Sequence, residues 1–273
     1  SMVPIGAAVT DGYNAGHGLP FDSEGMKERY PDIFFSQFTG AELVADKWNL
    51  SREELDQFAL ESHQKAAQAT ESKYFDKEIL PVEGKNAEGI NDLVMADEGI
   101  RFDASLDKLS GLNPVTEGGK ITAGNASQIT DGAAAILICN DAGLKKIKSN
   151  PRAEIVSISV VGDDPVFMLT GPIPASHKAL DVAKLSIDDM DIYEVNEAFA
   201  PVPLAWAEEL KADKSKLNVN GGAMALGHPL GATGAKLMTT MLHELERREG
   251  NYALQAICEG GGTANATIIK RIA

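Results

Sequence analysis

Asn218-Val-Asn-Gly-Gly-Ala-Met-Ala-Leu-Gly-His-Pro-Leu-Gly-Ala-Thr-Gly234 is the stretch on which the reading of this chain turns. Leu217-Asn-Val-Asn220 has the character of a short strand, and Gly231, Ala232, Gly234 and Ala235 open a helix whose first face is nearly bare. Between them, Gly221, Gly222 and Gly227 permit sharp turns and close backbone approaches that side chains would block. His228 is thereby held between glycine and proline at a strand-to-helix junction. There a ring nitrogen can face a cleft while free backbone N–H groups supply a positive environment. Taken alone, the segment fits equally well a glycine-rich loop with a surface histidine.

Two further stretches add weight to the first reading. Asn196-Glu-Ala-Phe-Ala200 follows the strand-like Asp191-Ile-Tyr-Glu-Val195, and Cys258-Glu-Gly-Gly-Gly262 follows the strand-like Tyr252-Ala-Leu-Gln-Ala-Ile257. An amide, an imidazole and a thiol each lie just beyond an expected strand, where α/β folds gather their active sites. In this order, Asn-Glu-Ala-Phe, Gly-His-Pro and Cys-x-Gly-Gly-Gly resemble the thiolases, enzymes that cleave or form 3-ketoacyl-CoA. Gly124-Asn-Ala-Ser-Gln-Ile-Thr-Asp-Gly-Ala-Ala134 is similar to that family's CoA-binding segment, and Thr170-Gly-Pro-Ile-Pro-Ala175 to another of its fixed stretches.

The resemblance implies an α/β fold with thiolase-like α/β/α layers and a mixed sheet, plus an irregular, helix-rich loop domain. Residues 1–128 correspond to the loop domain that covers CoA. Residues 129–152 correspond to a returning strand and helix of an otherwise missing N-terminal thiolase domain, and residues 153–273 to the C-terminal thiolase domain. The family's nucleophilic cysteine lies before a Gly-rich segment whose end resembles Ser1-Met-Val-Pro4, so the expectation is a chain that begins after its nucleophile. Some thiolases place a histidine just before the first helix of the loop domain; Ser36-Gln37-Phe38 stands in that neighbourhood here.

Carbon–carbon bond exchange through thioesters needs a nucleophile, a base for the α-carbon and two sites for negative oxygen. Cys258 fits the base, since a thiol with pKa near ~8.5 can take and return a proton and nearby amides or an imidazole can stabilise its thiolate. The resemblance assigns His228 to polarising the nucleophilic cysteine and donating a ring N–H to an enolate oxygen. Asn196 holds a water beside that oxygen, and the backbone N–H of Gly260 faces the acyl-enzyme oxyanion. Such donors contribute on the order of 3 kcal/mol each to lowering the barrier. Ser127 is expected to meet the pantetheine arm, and Phe199 to line the same tunnel or to be a core aromatic. Glu197 either fixes the loop through hydrogen bonds or is a helix-start carboxylate.

At 273 residues and 44% apolar content the chain can bury a substantial core. It contains no apolar run near the ~20 residues needed to cross a bilayer, so no membrane partner is expected. The net charge of −15 argues against nucleic acid. It also sits awkwardly with CoA, an anion, but net charge governs steering more than one pocket, and Lys or Arg in the first half can meet phosphates locally. Cys139 and Cys258 form no disulfide framework and show no metal-ligand spacing with the five histidines, which fits a reducing compartment, cytoplasm or an organelle matrix. No tightly bound cofactor or metal is expected; CoA and acyl-CoA enter as substrates, and the complete protein is expected to be a homo-oligomer, dimer or tetramer.

Residues 1–37 show no sustained period and read as loops, with His17 at the surface. Leu43, Val44 and Trp48 are spaced for one helical face, and Ser51-Arg-Glu-Glu54 is a capping box before a second helix whose stripe is Leu55, Phe58, Ala59, Ser62, Ala66 and Ala69. His63 lies beside that stripe and His177 faces solvent. Glu78-Ile-Leu-Pro-Val-Glu83 reads as an edge strand and residues 84–120 as an irregular excursion. Gly132 to Asn140 reads as a buried strand with Cys139 in the core, Ala142 to Lys148 as a helix, Ala153 to Val161 as a strand and Pro174 to Ala183 as a helix. Pro201 and Pro203 require the helix after Asn196 to start late. A binding or carrier protein of the same fold, holding CoA esters or lipids without condensing them, is the competing reading; it has no need of Cys258, His228 and Asn196 together.

Overall fold

The capping box is the signal that becomes structure most directly. The computed structural model describes residues 6–85, 89–147 and 149–272, and in it Ser51 closes the helix start in both directions. Its hydroxyl accepts from the Glu54 N–H at 3.2 Å, and its own N–H donates to the Glu54 carboxylate at 2.7 Å. Before this point lie three helices, α1 (Ala7–Asn14), α2 (Glu24–Arg29) and α3 (Gln37–Lys47), and after it α4 (Arg52–Glu71). The first two correct the expectation of loops over residues 1–37. Neither buries a residue, so no apolar stripe marked them in the sequence. Along α4 the expected stripe is buried throughout, and His63 is packed beside it, its Nδ1 accepting from the Arg101 N–H at 3.1 Å.

Beyond α4 a hairpin of β1 (Val82–Lys85) and β2 (Asn91–Val94) leads to α5 (Leu106–Ser110). The strand begins only after Pro81, because a proline has no N–H for the ladder, and so starts later than the expected 78–83. The larger departure is at 132–140. This run pairs with no segment among the described residues, and Cys139 is exposed, not in the core. Apolar, β-branched sequence makes a strand only where a neighbour offers hydrogen-bonding partners, and no strand of the main sheet runs beside it. The helix expected from Ala142 shrinks to one turn, α6 (Asp141–Leu144), whose Gly143 N–H is capped by Asn140; Lys148 lies outside the described residues.

The remaining chain forms β3 (Ala153–Gly162), α7 (Pro172–Ala183), β4 (Ile192–Val195), α8 (Pro201–Leu210), α9 (Ala223–Leu226), α10 (Thr233–Arg248), β5 (Tyr252–Cys258) and β6 (Thr263–Arg271). The sheet runs β3-β6-β5-β4, with β4 and β5 parallel and the other pairs antiparallel. This is the mixed sheet the sequence predicts. Helix α7 covers one face, tied down where Ser157 and Ser159 donate to the Ala179 and Ala175 carbonyls. Helix α10 covers the other through Met241 and Leu245, packed with Ile192, Ala253 and Ile269. Helix α8 does start late, with Pro201 at its first turn, and α10 starts at Thr233. Leu217–Asn220 is not a strand. It makes one isolated bridge to Tyr193, and the Asn218 side chain replaces a ladder rung by accepting from Val195 N–H and donating to Val195 C=O, both at 2.9 Å.

Two contacts join the segment after α4 to α10: Thr240 donates to Glu78 at 2.8 Å, and Arg247 stacks 3.7 Å from the Tyr74 ring centroid. Burial pushes the Glu78 carboxyl up to about 7, so the folded state favours its protonated form. That contribution is present below the unfolded carboxyl value and is lost as pH rises through about 7. Comparing urea unfolding of the unmodified chain and Glu78→Gln, we expect the stability lost between about pH 5 and 7.5 to be smaller in the variant by on the order of 1 kcal/mol.

Candidate active site

Parallel pairing of β4 with β5 sets the geometry. Val195 lies opposite Ala256, and the Asn196 N–H donates to the Ala256 carbonyl at 3.0 Å, so Asn196 and Cys258 emerge at the same carboxyl edge of the sheet. Asn196 reaches His228 directly, its Nδ2 lying 3.3 Å from Nε2. The other ring nitrogen, Nδ1, is 2.7 Å from Thr233 Oγ1, and that hydroxyl donates its one proton to the Pro229 carbonyl at 3.0 Å. The hydroxyl must therefore accept from Nδ1–H, which leaves the Nε2 lone pair to accept from the Asn196 amide. Burial, seconded by the charge of Lys236, holds the imidazole below the usual histidine range, so the ring is neutral. Asn196 Oδ1, buried beside it, has no hydrogen-bond partner among the described residues.

The loop that carries His228 is fastened from beneath by Glu197. This buried carboxylate accepts from Ser62 Oγ at 2.7 Å, Asn218 Nδ2 at 2.9 Å and the Met224 N–H at 3.2 Å, while Ser62 Oγ accepts from the Gly222 N–H at 3.0 Å. Burial raises the Glu197 carboxyl and these donors pull it back. The loop-fixing reading of Glu197 is thus the one the geometry bears out. Gly222 is required here, because a Cβ would overlap the carboxylate. Gln128 adds a second fastening: its side chain donates to the Gly99 and Met224 carbonyls, and its backbone carbonyl accepts from the His228 N–H at 3.1 Å.

Ser127 and Phe199 are neighbours through a short antiparallel ladder. Ala126 bridges Phe199, the Ser127 N–H donates to Ala198 and the Ala200 N–H to Asn125. Asn125 in turn donates to Asp56, which Arg52 holds at 2.7 Å. Phe199 is buried in the main core and meets Phe38 edge-on at 5.4 Å, while Ser127 is half-buried. Ser36 serves as the residue before α3.

Cys258 corrects one expectation. Its thiol is buried, and burial pushes its pKa up to about 12 instead of favouring a thiolate. In this geometry the resting thiol is protonated. Just beyond it Gly260 is exposed, with open space where a side chain would lie. Ser62, Gln128, Asn218, Thr233 and Lys236 are the supporting residues the sequence did not single out. Ser62 sat inside an apolar stripe, and only Thr233, five residues after His228, carried a local signal. Among the described residues no group of three or more His, Cys, Asp or Glu is arranged to hold a metal, and no helix is long and apolar enough to cross a membrane.

Comparison with known proteins agrees with this geometry. Residues 17–142 match the thiolase N-terminal domain and residues 149–271 the thiolase C-terminal domain. The whole chain is 53% identical to the steroid 3-ketoacyl-CoA thiolase FadA6 of Mycobacterium tuberculosis, covering 66% of that protein. It is 40% identical, over 99% of its length and 70% of the relative, to the acetyl-CoA acetyltransferase of Paracoccus denitrificans. The crystal structure of the human mitochondrial 3-ketoacyl-CoA thiolase in complex with CoA superposes over 86% of this chain and 58% of that one, with TM-score 0.79 and 44% identity. The acetyl-CoA acetyltransferase of Bacillus anthracis superposes with TM-score 0.84 and 39% identity, over 89% of this chain and 61% of that one. The chain therefore spans about three fifths to two thirds of the length of most of these relatives. With an amide–imidazole pair where β4 ends, both halves matched in order and identity of 40% or more along nearly its full length, the chain belongs to the thiolase family.

Proposed function

We propose that this chain is the substrate-covering and acid/base part of a thiolase-type acyltransferase, which cleaves 3-ketoacyl-CoA with CoA or condenses two acyl-CoA units. The observation that carries the reading is the Asn196–His228 pair, with Nε2 presented as an acceptor and Asn196 Oδ1 buried without a hydrogen-bond partner among the described residues. A neutral imidazole acceptor can take the proton of a thiol nucleophile. Once protonated, its Nε2–H can donate to the oxygen of the departing enolate, beside a water held by Asn196 Oδ1. Cys258 supplies the next proton: its S–H protonates the enolate α-carbon as the acyl-CoA leaves, and the resulting thiolate then deprotonates the incoming CoA thiol. Gly260 lies beside Cys258 and is assigned to the acyl-enzyme oxyanion through its N–H.

Neither cysteine of this chain suits the nucleophile's part. Cys258 is the buried proton donor, and Cys139 lies in an exposed run with no contact to the site among the described residues. The nucleophile is assigned to sequence outside these 273 residues, with residues 1–128 as the cover, 129–152 as part of the other thiolase domain and 153–273 as the C-terminal domain. Ser127 and Phe199 are assigned to the pantetheine arm. The complete protein is assigned as a homo-oligomer in the cytoplasm or an organelle matrix. A carrier of CoA esters would have no use for the amide–imidazole pair. Because one relative is named a steroid 3-ketoacyl-CoA thiolase, the substrate panel should include a ring-bearing 3-ketoacyl-CoA beside acetoacetyl-CoA.

In the complete enzyme, Cys258→Ser should slow both condensation and thiolysis by on the order of 100-fold or more, while acyl transfer to the nucleophile, followed by mass spectrometry, persists. Near-normal condensation would remove Cys258 from this role. Steady-state kinetics of His228→Ala and Asn196→Ala should show kcat lowered by on the order of 100-fold with KM little changed, since both act on charge that develops in the transition state; an effect confined to KM would mean ground-state binding. The 273-residue polypeptide alone should show no thiolysis of acetoacetyl-CoA, and adding the amino-terminal segment should restore it. Turnover by the isolated chain would count against an external nucleophile.

A further inference from the structure

His228 is held twice by α10. Thr233 takes the ring at Nδ1, and three residues on, Lys236 Nζ donates to the Leu226 carbonyl at 2.9 Å. Residues three apart on a helix share a face. Leu226 is the last residue of α9, where carbonyls lack intrahelical partners and a cation is favoured. The chain then turns through Gly227, at φ 80°, into His228. The lysine thus fixes the last carbonyl before the turn that launches the imidazole.

Its charge has a second effect. The Lys236 side chain is half-buried, and burial lowers its pKa while Asp97 after β2, Glu194 on β4, Glu78 after α4 and Glu197 beyond β4 act to raise it. Those acids oppose the cost of burying the ammonium, and the charge of Lys236 opposes a second positive charge on His228. Glu244 on α10 is occupied by Arg247, Arg248 and Asn220.

We propose that Lys236 is a positioning residue for His228, holding through the Leu226 carbonyl the turn from which the imidazole projects and setting a positive charge beside the ring. Its meaning for catalysis rests on the thiolase reaction proposed above; the placement of the histidine does not.

The test is an NMR titration of the histidine ring protons in the 273-residue chain, with the His228 signal assigned by its loss in His228→Gln. In the unmodified chain His228 should titrate below a free histidine peptide in the same buffer. Lys236→Met should raise its midpoint by about half a unit or more, and Lys236→Arg should leave it near the unmodified value. An unmoved midpoint in a folded Lys236→Met overturns the proposal. If that variant does not fold, the other two decide: His228 titrating with or above the free histidine peptide in the unmodified chain, or a raised midpoint in Lys236→Arg, overturns it, and the opposite results support it. In the complete enzyme, Lys236→Met should lower kcat several-fold with KM little changed and move the acidic limb of the kcat/KM profile to higher pH, and Lys236→Arg should recover both. A complete enzyme without thiolase activity would sink the proposed reaction and leave the titration standing. An unmoved titration in an active enzyme would do the reverse.

Discussion

Everything at this site hangs on one buried carboxylate. Glu197 sits two residues past the end of β4 with almost no exposure, and its oxygens accept hydrogen bonds from three different stretches of chain: Ser62 on α4, Asn218 before the glycine loop and the Met224 backbone within it. Moving a carboxylate out of water costs several kcal/mol unless its lone pairs are met by donors of good geometry. Here they are met, and the same bonds that offset desolvation fix the loop against α4 and the sheet. Loosening any one of these bonds leaves the buried carboxyl short of a donor. The Asn196–His228 contact inherits its geometry from this arrangement, since the two residues flank the parts Glu197 ties together.

Acids surround the site on its inner side. Glu194 and Glu197 are fully buried and both carboxyls are raised by burial, Glu194 further by Glu197 itself. Carboxyls pushed toward their protonated form bring little negative charge to the imidazole, and the charge felt by His228 is that of Lys236. The chain's net charge of −15 therefore says little about the field at this one nitrogen.

What the sequence disclosed and what it withheld divide along physical lines. Asn196 and Cys258 were legible because each stands at the end of a run of strand-forming residues, and His228 because glycine and proline bracket it, all local features. The α4 stripe was legible because six residues at helical spacing all face the core. Hidden were properties created by neighbours distant in sequence: the burial that raises the Cys258 thiol, the Ser62 hydroxyl that reaches across to Glu197, and the tautomer of His228, which needs Thr233 and Pro229 together. The run at 132–140 shows the converse failure. Its composition is that of a buried strand, and it lies exposed because composition does not provide a partner. Helices α1 and α2 bury nothing, so no periodicity announced them.

The segment around Ser127 is attached to the site by main chain. Asn125 accepts through its carbonyl, Ser127 donates through its N–H and Gln128 accepts from His228 through its carbonyl, while the Ala126–Phe199 bridge is also backbone pairing. Backbone bonds are indifferent to which side chain hangs from them. The side chains at 126 and 127 are therefore free to be exchanged for larger, smaller or more polar ones without unfastening the imidazole.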